Sequence, residues 1–212
     1  MTGMASMPPV VPRWEWRTFG DRFPAAEARL LAAAFDLKVS REIYIVCASS
    51  DANVKIRNDQ IDVKRLQRVE RDLELWSPVL KATFPIGADV VALVFEHWAM
   101  APPALERPAY TLKEFLAEIV GPVRLLHAVD VAKERRGATI DGCAVEIAKL
   151  TVHVQTVETV AVEKDDPDRV LRTVRSLGLS GYRNENYVKA LKRMLGVRPP
   201  DVHGCAPGGR LS

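Results

Sequence analysis

Cysteine is scarce in this 212-residue chain: Cys47, Cys143 and Cys205 are odd in number, widely spaced and never form a Cys-x-x-Cys pair. Neither a disulfide framework nor a paired-thiol zinc site is indicated, and free thiols suit a reducing cytoplasm. An excess of charge of one sign is also missing. Thirty Lys and Arg stand against 27 Asp and Glu, a net +3 that is too mild for a nucleic-acid binder with its basic stripe. No segment approaches the roughly 18 uninterrupted apolar residues of a membrane span, and Met1 to Pro12 lacks the basic start and apolar run of a secretory signal. A soluble, cytoplasmic protein without a membrane or nucleic-acid partner is therefore expected. His97, His127, His153 and His203 show no metal-ligand spacing, and neither a Gly-x-x-x-x-Gly-Lys-Ser/Thr phosphate loop nor a Gly-x-Ser-x-Gly elbow occurs.

What is present is alternation. Arg13-Trp14-Glu15-Trp16-Arg17-Thr18-Phe19, read with a period of two, puts Arg13, Glu15 and Arg17 on one face and Trp14, Trp16 and Thr18 on the other. The aromatic face belongs in a core. Residues 1–12, with three prolines, read as a disordered leader, residues 13–196 as the folded domain, and the Pro- and Gly-rich residues 197–212 as a flexible tail. Within the domain, Pro24 to Phe35 reads as a helix and Arg41 to Cys47 as a strand. A hairpin of Val54 to Arg57 with Ile61 to Leu66 follows, then a strand over Asp72 to Lys81 broken near Pro78. Asp89 to Trp98 is apolar and short enough to be helix or strand, with helix the expectation. Thr111 and Glu114 make a capping box for a short helix to Val120. Strands return from Val123 onward, with turns at Gly137 and Asp141-Gly142. Asp166 caps a helix ending near Gly178, and Asn184 is placed to cap a last helix that carries Tyr187, Leu191 and Leu195 on one face.

Several strands thus pair an apolar face with one bearing Arg, Lys and isolated carboxylates: Arg13, Glu15 and Arg17; Lys55 and Arg57; Asp62 and Lys64; Lys133 and Arg135; Glu146; Glu163. Mixed charge on one strand is most often a solvated outer face. Several such strands together favour a sheet closed around a polar interior, whose cations call for a highly charged ligand. Phosphate chains fit: Arg forks and Lys point charges bind phosphate oxygens, and carboxylates hold Mg²⁺. By parity Glu158 lies outside; Asp62 either pairs with a neighbouring Lys or binds metal, and Lys189 either faces solvent or plugs one end.

The order of these residues resembles the CYTH, or triphosphate tunnel metalloenzyme, superfamily, which opens with Glu-x-Glu-x-Lys, continues with Arg-x-Arg and Lys-bearing strands, and ends with further basic and acidic strands. Here Arg13-x-Glu15-x-Arg17 occupies the opening motif, Val54 to Arg57 the second, and Asp62-Val63-Lys64 the third; Lys133-x-Arg135, Glu146 and Glu163 fall on the later strands. The resemblance covers roughly residues 13 to 195. It implies an α+β fold, a closed or nearly closed eight-stranded antiparallel β-barrel with flanking helices, and a triphosphate or polyphosphate ligand. It further implies Mg²⁺ or Mn²⁺ held by Glu15, Glu146 and Glu163 as the catalytic acids. Arg13, Arg17, Lys55, Arg57, Lys64, Lys133 and Arg135 then hold phosphate. Hydrolysis of inorganic or nucleoside triphosphate is the expected reaction. The departures are Arg13 where the family has its first Glu, and Ala144, Ala148 and Ala161 two residues from the surviving acids. These keep a phosphate-chain binder with weak or lost catalysis as an alternative, beside cyclisation of ATP; a homodimer is left open.

Overall fold

Eight strands close into an antiparallel barrel in the computed structural model, which describes residues 11–199. The expected leader and tail fall largely outside the described residues. In chain order the elements are β1 (Arg13–Gly20), α1 (Pro24–Leu31), β2 (Phe35–Cys47), β3 (Asn53–Arg57), β4 (Gln60–Glu70), β5 (Leu73–Thr83), β6 (Ile86–Gly87), α2 (Ala88–His97), β7 (Ala109–Tyr110), α3 (Leu112–Glu114), β8 (Leu126–Ile140), β9 (Cys143–Val152), β10 (Gln155–Lys164), α4 (Pro167–Ser176) and α5 (Tyr187–Leu195). Around the barrel the order is β1-β10-β9-β8-β2-β3-β4-β5, while β6 and β7 form a separate two-stranded ladder. The expected α+β barrel with flanking helices is the observed architecture.

Alternation does what a period of two requires. Trp14, Trp16, Val145, Ile147, Val160 and Val162 face outward and are covered by α1 and α4. Ile45, Val54, Ile56, Ile61 and Val63 face outward on the other side, beneath α2 and the segment after α3. A third apolar cluster lies inside the barrel: Tyr44, Val46, Val129, Val131, Leu150 and Val152 meet Tyr187 and Leu191 of α5. The interior is therefore divided, polar toward one mouth and apolar where α5 closes the other end.

Several expected boundaries move, each for a physical reason. The helix expected to reach Phe35 stops at Leu31, and β2 begins at Phe35 because Phe35 to Ser40 pair with Lys133 to Ala138 of β8. No turn occurs at Gly137; β8 runs through it, and a Cβ there would lie 2.8 Å from the Asp36 carboxylate, so glycine makes room for that side chain. Pro78 does not break β5: a register shift between Val63 and Lys64 absorbs its missing N–H. The last helix is capped by Asn186, whose side chain accepts from the Lys189 N–H. Asn184 instead accepts from the Arg17 N–H and donates to the Asp72 carbonyl, tying the preceding loop to β1. The Thr111–Glu114 capping box forms as read, but Phe115–Val120 winds as a π-helix. The Asp141-Gly142 turn has φ of 50° and 76°, the positive values such a hairpin needs.

Candidate functional site

The polar half of the barrel encloses a cavity of about 450 Å³. Five of the eight barrel strands turn at least one cation into it: Arg17 from β1, Lys55 and Arg57 from β3, Lys64 from β4, Lys81 from β5, Lys133 and Arg135 from β8. Five carboxylates share the space, those of Glu15, Glu42, Asp62, Glu146 and Glu163. Six of the seven expected phosphate-binding residues and all three expected acids therefore meet in one cavity. Arg13 does not: it is exposed and lines the mouth next to Arg135, Glu146 and Glu163.

Two groups of side chains behave differently inside. Arg17 is buried; its Nε donates to Glu15 at 2.6 Å, its Nη1 reaches Glu146 at 3.4 Å, and its guanidinium lies 4.7 Å from the Tyr187 ring centre. Glu146 also accepts from Lys133 Nζ at 2.8 Å and lies 3.5 Å from Arg135. Burial alone would raise the Glu146 carboxyl, but Arg17, Lys133 and Arg135 outweigh it and bring it down to about 2. For Arg17 the same trade runs the other way, with Glu15 and Glu146 overcoming burial to hold it charged. Arg17 and Glu146 are thus committed to the wall.

The second group is uncommitted. Asp62 stands opposite Lys55 on β3 and Lys81 on β5, yet among the described residues neither Lys55, Lys64 nor Lys81 makes an ion pair within 4.0 Å. Burial lowers the Lys55 ammonium, and Arg57, Lys64 and Lys133 lower it further against the pull of Glu42. Arg135 Nε and the Tyr187 hydroxyl are buried without a hydrogen-bond partner. The three lysines are donors directed at the same space.

Glu15 and Glu163 face each other across the β1–β10 ladder. Glu15 stays low because Arg17 and Lys64 outweigh its burial, whereas Glu163 is raised by burial and then by Glu15. Two buried carboxylates side by side repel unless a cation or a proton sits between them. Among the described residues, however, no group of three His, Cys, Asp or Glu side chains is placed to hold a metal ion. The expected trio is not gathered as one ligand set, since Glu146 is taken by three cations. What remains, two carboxylates beside a phosphate-sized space, fits Mg²⁺, which commonly takes one or two carboxylates and completes its shell with substrate oxygens and water.

Sequence reasoning missed Glu42, Tyr44, Lys81 and Tyr187. Glu42, 2% exposed, accepts from Tyr44 Oη at 3.0 Å and pairs with Arg57 at 3.3 Å, and the Tyr44 ring stacks on Tyr187 with centroids 5.0 Å apart. The signal existed in the parity of Ser40, Glu42 and Tyr44, but a β-branched stretch masked it. Glu74 was missed as well; it lies against Glu15 on β5 and receives Asn186 Nδ2 at 2.9 Å and Lys189 Nζ at 3.3 Å. Lys189 is 46% exposed and pairs with Glu74 outside the cavity, which is the solvated option rather than the plugging one.

No family model matches the sequence, and no curated protein does. Among solved structures, a putative adenylyl cyclase from Hippeastrum, described as revealing a dominant triphosphatase activity, aligns over 91% of this chain and 100% of that one, with a TM-score of 0.50 and 14% identity. A putative adenylate cyclase from Bacillus halodurans aligns over 83% of this chain and 95% of its own, with a TM-score of 0.48 and 12% identity. At 14% identity the first likeness is one of fold, a closed antiparallel barrel with flanking helices. Among the described residues no helix is long and apolar enough to cross a membrane.

Proposed function

We propose that this chain is a CYTH-type tunnel protein that binds the phosphate chain of inorganic triphosphate or a nucleoside triphosphate and hydrolyses it with the help of Mg²⁺ or Mn²⁺. One observation carries the reading: Lys55, Lys64 and Lys81 turn into a single half-buried cavity with no carboxylate within ion-pair distance. Like charges held together in a medium of reduced dielectric repel, and a polyanion is what relieves them. Arg57 and Lys133 add charge while remaining on their own carboxylates.

Chemistry then needs no nucleophilic side chain. Water attacks the terminal phosphorus, its oxygen forming the new P–O bond as the bridging P–O bond breaks. Its proton passes to a phosphate oxygen, and the diphosphate leaves with its charge held by the lysines. Glu15 and Glu163 are the residues that would hold the divalent cation, which would supply Lewis-acid stabilisation of the charge developing in the transition state. Arg17 keeps Glu15 ionised and aimed, and Tyr187 with α5 keeps bulk water from the closed end.

Phosphate release from tripolyphosphate and from ATP with Mg²⁺ or Mn²⁺, together with calorimetry in EDTA, tests this. Lys64→Ala should weaken tripolyphosphate binding by roughly tenfold to a hundredfold, the worth of one charged hydrogen bond. Glu163→Gln should keep binding in EDTA and lose turnover. Cyclic nucleotide and pyrophosphate appearing from ATP would replace hydrolysis by cyclisation, and absence of binding would end the reading. Metal-independent binding with no turnover would support the second reading, a phosphate-chain binding module. The exposed position of Arg13, and a Glu146 already neutralised by three cations, favour that reading.

A further inference from the structure

β2 is 13 residues long, and β8 pairs with all of it, but β3 pairs only with Ile43 to Ile45. From Phe35 to Arg41 the second edge of β2 therefore has no strand beside it. Free edges of this kind are normally blunted by proline, a bulge or outward charge. This one has no proline and no bulge before Arg41, and its charges lie on one face only. Its outward side chains are Phe35, Leu37 and Val39, which are 42%, 58% and 78% exposed. Its other face carries Asp36 and Lys38, 49% and 66% exposed.

We propose that this edge pairs with the same edge of a second copy of the chain, antiparallel, about a two-fold axis at Leu37. The pattern is self-complementary about that residue. Leu37 meets the partner's Leu37, Phe35 meets the partner's Val39, and on the opposite face Asp36 meets the partner's Lys38, each pair occurring twice as an isologous contact requires. Aromatic with β-branched and acid with base are favourable cross-strand pairs, and no like charges are opposed. An axis at a neighbouring residue loses this: centred on Asp36 it sets Asp36 against itself, and centred on Lys38 it sets Lys38 against itself. Within one copy Asp36 receives Lys38 Nζ at 3.3 Å and Arg135 Nη2 at 3.2 Å, so the incoming ammonium joins an existing acid–base cluster. Lys38 lines the space outside the cavity with Arg57, Lys133 and Arg135, so pairing sets the two tunnel mouths side by side.

Sedimentation of the full chain across a concentration series is the test, with thermal unfolding as the folding control. The wild type is expected to dimerise. Leu37→Lys, which opposes two ammonium groups at the axis, should raise the dissociation constant by roughly tenfold or more. Lys38→Asp should weaken the dimer and the double change Asp36→Lys with Lys38→Asp should restore it. In a Cys205→Ser background, Leu37→Cys should cross-link under oxidation, because directly opposed strand residues lie within disulfide reach. Phe35→Cys should not, its copy lying about four residues, or roughly 13 Å, away along the partner strand. A monomer at every concentration, a dimer indifferent to Leu37→Lys, or equal cross-linking at both positions would overturn the proposal.

Discussion

At the scale of the residue, Glu146 ties stability to pH. A carboxyl whose folded pKa lies below its unfolded value adds stability above the unfolded value and loses it as pH falls through the folded one. With Glu146 at about 2 against an ordinary 4.5, the gain is about 3 kcal/mol above pH 4.5, vanishing toward pH 2. Glu146→Gln should remove about that much at neutral pH by stranding Lys133, Arg17 and Arg135, and added tripolyphosphate should offset part of the loss; thermal melts with and without the anion measure both. Glu163 has the opposite sign. Its raised pKa means its ionised form costs stability as pH rises, so Glu163→Gln should raise the melting temperature of the ligand-free protein at pH 8. A lower melting temperature would show that the Glu15–Glu163 repulsion is already relieved.

At the scale of elements, α5 decides that the barrel has one working mouth. Its N-terminus enters the interior, where Asn186 both caps the helix and donates to the buried Glu74, and Tyr187 packs against Tyr44 and Arg17. Asn186→Ala removes a cap and a hydrogen bond to a charged group, so a loss of about 2–4 kcal/mol is expected in denaturant titration. The elements differ in how far local sequence specified them. Asp166 with Pro167, the Thr111–Glu114 box and the Asp141-Gly142 turn act within a few residues and were legible. The early start of β2 and the unbroken β8 were not, because each depends on the other's pairing, a contact roughly a hundred residues apart in sequence.

Across the whole molecule the cavity holds seven cations and five carboxylates, an arrangement whose field favours polyanions. Tripolyphosphate affinity in EDTA should fall as salt rises and lose less from 0.1 to 0.2 M than a surface site would, because the cations are partly buried. Divalent-ion affinity should increase as pH rises through the elevated pKa of Glu163, with proton release detectable by calorimetry in buffers of different ionisation enthalpy. Binding independent of pH would argue that Glu163 does not hold the ion.

By itself the amino-acid order determined which side chains share a strand face, since a period of two is a local property: Trp14 with Trp16 outside, Glu15 with Arg17 inside, Lys55 and Lys64 turned inward. Only the tertiary structure decided what those faces meet. Closure and register set Glu15 against Glu163, placed Arg17 between Glu15 and Glu146, kept Arg13 at the rim, and gave half the interior to Tyr44, Leu150 and α5. The reason is that charges acquire their pKa and their partners from neighbours across the barrel, and those neighbours come from strands that no short stretch of sequence brings together.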